Sequence, residues 1–242
     1  MLTQLQRLQQ LAHWYQQPLG NAVRQAEQEQ LMHVLPSLFG LNIVQLGLPS
    51  QPQWLDPSPV NTKIIALPYT DTNAQLITDV DQIALDTDSI DVVLLPHILE
   101  AVDQPISVLA DIQRILIPEG HLIILGFNPW SLWGISHALL GKRRLFSWHE
   151  RYISLAKLRQ NLINLDFTMR LIAPYFYRPA LTHPRLLRTS FFLEKVGQFV
   201  WPYPGGGYIV VAQKHVIGRT PLKQRWRLSE LVINNSFVQP TP

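Results

Sequence analysis

Several residues able to do chemistry stand where apolar runs of this 242-residue chain end. Pro96-His97 closes the run Ser89 to Leu95 (SIDVVLL), and Asn128-Pro129 closes His121 to Phe127 (HLIILGF). Gly47 ends Leu41 to Gly47 (LNIVQLG), and Asp79 follows the short run Ala74 to Thr78. An imidazole with an ordinary pKa of ~6.5 exchanges protons near neutrality, so His97 suits a general base if it faces a cleft. It equally suits a helix cap or a satisfied core position, and both readings stand. A glycine directly after a strand lets backbone approach a ligand closely. Only Gly47 is present there, with Leu48-Pro49 behind it, and a nicotinamide-type GxGxxG is absent.

These residues need elements to position them. Ser89 to Leu95 and His121 to Phe127 are continuous apolar, β-branched runs, the pattern of strands buried on both faces of a parallel sheet. Between them Ile106, Leu109, Ile112, Ile115 and Leu116 recur at helical spacing, and Pro118-Glu119-Gly120 stops the helix. Strand, helix and strand make a βαβ unit, which crosses over right-handed and binds ligands beyond the carboxyl ends of its strands. Upstream, Leu41 to Gly47, Lys63 to Tyr69 and Ala74 to Thr78 read as strands, and Ser50 to Asn61 reads as a loop too rich in Pro for a full-length helix. The chain opens with two amphipathic helices: Leu2 to Tyr15, then, after the Pro18-Leu19-Gly20 break, Asn21 to Val34 or Leu35. Trp14 and Tyr15 sit at the hinge between them. The second half continues with helices at Trp130 to Leu140, Leu155 to Leu165 and Pro184 to Val200, and strands at Phe167 to Phe176 and Tyr208 to Lys214. Three parts follow: an N-terminal helical lid (1–40), an α/β domain (41–215) and a basic tail (216–242).

Composition narrows the chemistry. No Cys occurs, which rules out disulfides, thiolate zinc sites and a Cys nucleophile and suits the cytoplasm; no metal site is expected. The Gln-rich start does not read as a signal peptide, and no apolar run reaches the ~18 residues of a membrane span. Residues 1–120 hold 4 Lys/Arg against 13 Asp/Glu, and residues 121–242 hold 16 against 4. A basic half of that kind attracts a polyanion such as RNA or an anionic lipid surface, or it simply solvates outer helices and attracts the acidic half.

Asp79 to Gly134 also resembles the class I S-adenosylmethionine-dependent methyltransferases of the type 11 group. The resemblance rests on Asp79, the acidic turn Asp86-Thr87-Asp88, Ser89-Ile90-Asp91-Val92-Val93, His97-Ile98-Leu99-Glu100, Asp103-Gln104-Pro105 and Arg114-Ile115-Leu116-Ile117-Pro118-Glu119-Gly120. Trp14 to Gly20, Leu94 to Glu100 and Gly126 to Gly134 look like a little-characterised bacterial branch of that group. The resemblance implies a Rossmann-like α/β fold, a seven-stranded, mostly parallel sheet in the order 3-2-1-4-5-7-6 with helices on both faces. It also implies the cofactor S-adenosyl-L-methionine and transfer of its sulfonium methyl to an acceptor, small molecule or macromolecule, that the sequence does not name. Such a transfer mainly requires positioning and desolvation of the reactants.

By the same resemblance the cofactor contacts fall on Gln45, Gly47, Leu48, Asp79, Val80, Pro96 and His97. Asp79 takes the position that accepts from the adenine amino group, with the Val80 backbone at the ring edge. Gln45 stands where the family has a carboxylate, Pro49 where it has a second glycine, and IIALPYT offers no clear ribose carboxylate. Asn128-Pro129 resembles the NPP-type motif of amino-methylating enzymes but follows strand 5 rather than strand 4. These departures keep a second reading open, a methyltransferase-fold protein without catalysis that binds a partner through its basic half. A third, an RNA-binding or membrane-surface module, predicts salt-sensitive binding.

Overall fold

The structure is a computed structural model and describes residues 3–48, 52–131, 152–177 and 205–215, the side chains of 52 and 53 excepted. Pro49, Trp133, Lys142-Arg143-Arg144, the amphipathic 184–200 stretch and the basic tail lie outside the described residues.

Helices α1 (Gln4–Trp14) and α2 (Pro18–Val34) precede strands β1 (Asn42–Leu46), β2 (Thr62–Leu67) and β3 (Leu76–Ile77). Strand β4 (Ile90–Pro96) is followed by the one-turn α3 (Ile98–Ala101), then α4 (Pro105–Ile115) and β5 (Leu116–Phe127). Helix α5 (Leu155–Asn164), β6 (Phe167–Tyr175) and β7 (Gly207–Lys214) complete the described elements. The seven strands form one sheet in the order β3-β2-β1-β4-β5-β7-β6. Pairings are parallel from β3 through β5, and β7 runs antiparallel to both β5 and β6. This is the arrangement the sequence implies.

The apolar runs fill both faces, as a strand's period of two requires. Ile43, Val92, Leu94, Ile123, Leu125, Ile209 and Val211 meet α1 and α2 on one face. Val44, Leu46, Val93, Leu95, Leu122, Ile124 and Val210 meet α4 and α5 on the other. Helix α1 lies at the boundary, because Leu11 and Trp14 join the first cluster while Leu8 joins the second. That helix therefore crosses the carboxyl ends of the strands rather than lying along a face.

Local chemistry fixes the element ends. Thr3 and Gln6 form a reciprocal capping box on α1, and Ser154 caps α5. Helix α2 starts at Pro18, not at Asn21 as the sequence suggested: proline is well placed at a first helical position, where its missing N–H costs nothing. Gly20 then lies inside the helix, where a Cβ would stand 2.1 Å from the Trp14 carbonyl oxygen, so glycine lets α1 and α2 meet closely. Strand β5 begins at Leu116, earlier than Pro118-Glu119-Gly120 indicated, with a bulge that shifts its register against β4 between Ile90 and Val92. Asp91, the aspartate of the S-x-D-V-V motif, accepts from the backbone N–H of Leu41 and Asn42 at 3.0 and 2.9 Å and anchors the start of β1. Between β1 and β2 the described residues hold only a single 3-10 turn, Pro52–Leu55, so no long helix starts after Gly47 there.

Candidate functional site

At the carboxyl ends of β1, β4, β5 and β6, charged and aromatic side chains converge without exposure. His97 follows β4 in the left-handed region, φ 55°, an uncommon conformation for a residue other than glycine. It places the imidazole between two carboxylates. Nε2 lies 2.8 Å from Glu27 Oε1, and Nδ1 lies 2.9 Å from Glu100 Oε2. Glu27 comes from α2 and accepts further bonds from the hydroxyls of Tyr15, at 3.0 and 2.9 Å, and Tyr175, at 2.9 Å. The other oxygen of Glu100 accepts from the backbone N–H of Phe127 at 2.5 Å. The His97 ring packs against that of Phe127, 4.0 Å between centroids, and Tyr15 and Trp54 close the cluster edge-on.

Electrostatics follows from the geometry. Burial works against a charge on His97, but Glu100 and Glu27 on either side outweigh it and raise its pKa to about 9. Both ring nitrogens then donate, which is what two carboxylate partners require. Burial raises Glu100 above the ordinary carboxylate value while His97 draws it back. Tyr15 and Tyr175 are pushed well above the usual tyrosine value, first by burial and then by Glu27. Glu27 and Tyr175 were not singled out by sequence; Glu100 stood out only as part of the H-x-L-E string, and Tyr15 only with Trp14 as a hinge pair able to close over a ligand or simply to pack. The available signal was Glu27's position on the apolar stripe of α2, four residues after Val23 and four before Leu31.

The candidate cofactor residues split into two groups. Gln45, Gly47, Leu48, Pro96 and His97 gather at the tips of β1 and β4, and the side chains there are buried. Gly47 has φ +103°, and a Cβ on it would lie 1.6 Å from Ile98 Cδ1, so α3's own side chain fills the niche that a ligand would need. Leu8 of α1 stands behind it, 4.0 Å from the same point. Gln45 donates to the Leu48 carbonyl at 2.8 Å, and its Oε1 is buried with no partner among the described residues. Val80 is fully buried with Leu8, Leu46 and Ile98. Asp79, by contrast, is exposed, accepts from Asp81 N–H at 3.3 Å, and lines a cavity of about 370 Å³ with Gln4, Leu5, Pro68, Ile77 and Thr78. Asn128 makes a turn, its Oδ1 accepting from Trp130 N–H at 3.0 Å.

The comparisons with known proteins agree with this architecture. A family model described as a methyltransferase domain matches residues 51–124. The S-adenosylmethionine-dependent methyltransferase of Thermotoga maritima superposes with a TM-score of 0.61 at 17% identity, covering 84% of this chain and 93% of that one. The chain has the class I methyltransferase fold. Its sequence is also 25% identical over 213 residues, 87% of this chain, to the uncharacterized Escherichia coli protein YafS, of which 85% is covered. The cyclase SpnF shares the fold as well, with a TM-score of 0.53 at 11% identity and 78% and 80% coverage, so this methyltransferase-type sheet does not by itself fix the reaction.

The residues fit the family's cofactor at one end and not, as arranged here, at the other. The Asp79 cavity is within the ordinary range for ligand pockets. At the methionine end, Ile98 fills the Gly47 niche and a neutral amide stands where a carboxylate would meet an ammonium group. Among the described residues no helix is long and apolar enough to cross a membrane.

Proposed function

We propose that this class I methyltransferase-fold chain is an S-adenosylmethionine-dependent methyltransferase, with its acceptor unassigned, whose N-terminal helices cover the strand tips in the form described above. The observation that carries this reading is the cavity beside Asp79, at the tips of β2 and β3, with α1 as its outer wall. An adenine ring seated there would meet the Asp79 carboxylate, and its ribose would point toward Gly47. The methionine end would need α1 and α3 to shift so that Ile98 leaves the glycine. In that open form Gln45, Leu48 and Pro96 would line the cleft. His97, with both nitrogens engaged, acts here as a positioning residue for α2 and not as a base.

A second reading has its own support. The filled niche at Gly47 and the missing strand-1 carboxylate favour a methyltransferase-fold protein that binds a partner without catalysis. Calorimetric titration with S-adenosylmethionine and S-adenosylhomocysteine separates the two. The first reading expects saturable binding, about tenfold weaker in Asp79→Ala through loss of one hydrogen bond, and tighter in Ile98→Ala, which empties the niche. Absence of binding in both wild type and Ile98→Ala leaves the second reading.

A further inference from the structure

The carboxylate–imidazole–carboxylate bridge joins the two N-terminal helices to the tips of the sheet. Glu27 belongs to α2, and Tyr15 is the C-cap of α1. His97, Glu100, the Phe127 N–H and Tyr175 belong to the tips of the sheet. Helix α1 also holds the sheet's tips through Arg7, whose Nε donates to the Ala101 carbonyl at 2.6 Å and whose Nη2 pairs with Asp103 at 2.7 Å. Asp103 is exposed, and exposed ion pairs contribute little. The bridge is the fully buried ionic tie, with His97 and Glu27 side chains both 0% exposed. A buried cation between two carboxylates is self-consistent only while it stays charged, since its loss leaves two anions facing each other out of water.

We propose that Glu27–His97–Glu100 is a proton-operated latch, which holds α1 and α2 across the strand tips while the imidazole is protonated and lets them open, with the sheet intact, when the proton leaves. The groups around the ring are Tyr15 from α1, Glu27 from α2, Glu100 from α3, Phe127 from β5 and Tyr175 from β6, with Tyr208 of β7 and Tyr152 behind Glu100. Burial first, and carboxylates second, push all four of these tyrosines upward, away from neutrality. Burial raises Glu100 above the ordinary carboxylate value, and His97 opposes that shift. His97, held between the two carboxylates and raised to about 9, is the group whose charge change operates the latch.

The direction follows from linkage. The closed form binds the His97 proton more tightly than the open form does, where the ring returns to its ordinary value of ~6.5. Closure is therefore fully stabilised below ~6.5, and the stabilisation drains away as pH climbs to about 9. The opening equilibrium rises about tenfold per pH unit across that window, on the order of a hundredfold in all, and levels beyond it.

Hydrogen–deuterium exchange of the full chain from pH 6 to 10, normalised for chemical exchange, tests this without any ligand. Its failure would leave the adenosyl-binding reading untouched, and the converse holds. Expected is a pH-dependent loss of protection confined to residues 4–34, with β1, β4 and β5 still protected. A second expectation is that His97→Gln removes the pH step. Should that variant not fold, Glu27→Gln serves instead and moves the step to lower pH, because one carboxylate then supports the charge. Protection of 4–34 that does not change with pH, a loss shared equally by the central strands, a step that survives in His97→Gln, or a step left at its wild-type pH in Glu27→Gln overturns the latch.

Discussion

Glu27→Ala is expected to lower the unfolding free energy by about 3–5 kcal/mol, the range for removing one member of a buried ionic cluster. The cost has two sources. His97 keeps its charge with one carboxylate instead of two, and the hydroxyls of Tyr15 and Tyr175 lose their common acceptor inside the core. Glu27→Gln should cost less, about 1–3 kcal/mol, because an amide oxygen still accepts from the tyrosines while its NH2 cannot replace the acceptor for His97. Urea unfolding followed by circular dichroism at neutral pH measures both. A loss below about 1 kcal/mol in Glu27→Ala would mean that the bridge does not tie α2 to the sheet.

Gly47→Ala should be nearly as damaging, and for a different reason. Its backbone sits at φ +103°, where an L side chain is strained by about 1–3 kcal/mol. Its methyl would also lie on Ile98 Cδ1, adding an overpacking cost of about 1–3 kcal/mol. The two contributions are separable. In an Ile98→Ala background the methyl has room and only the backbone cost remains, so the two substitutions should couple by about 1–3 kcal/mol in a double-mutant cycle. Additive effects would show that Ile98 does not occupy the glycine niche, and with it would go the account of why the methionine end is closed.

Much of the fold was legible because it is written in runs and periods. The four parallel neighbours β2, β1, β4 and β5 read as continuous apolar segments since both faces are covered, and β7 reads the same way between α-covered layers. The S-x-D-V-V string located β4, while the one-turn α3 at Ile98–Ala101 was not anticipated as a helix. The sites of error were places where a local signal has two meanings. Pro18-Leu19-Gly20 signals a break in isolation, but proline opens α2 and Gly20 permits contact with Trp14. Pro118-Glu119-Gly120 signals a stop, and the chain uses it as a bulge within β5.

The centre itself was only half legible. Position after β4 drew attention to His97, and Glu100 stands only three residues on, within the H-x-L-E string; the contact to Glu27 spans 70 residues and that between Glu27 and Tyr175 spans 148, which no spacing rule reaches. Gln45 was visible as a departure from the family, and its structural reason is plain once burial is known: a neutral amide bonds to the Leu48 carbonyl in a place where a lone carboxylate would be costly. Asp79 was picked out by resemblance, and in the structure it lines a cavity of about 370 Å³ at the tips of β2 and β3.

The central claim is that the strand tips are closed around a protonated His97 held between Glu27 and Glu100. Nitrogen-15 NMR of the histidine-labelled chain reads this directly, because the two ring nitrogens of an imidazolium resonate alike and those of a neutral tautomer do not. The account predicts that His97, assigned by its absence in His97→Gln, stays an imidazolium through neutral pH and loses its proton only near pH 9. A neutral His97 tautomer at pH 7 would contradict it.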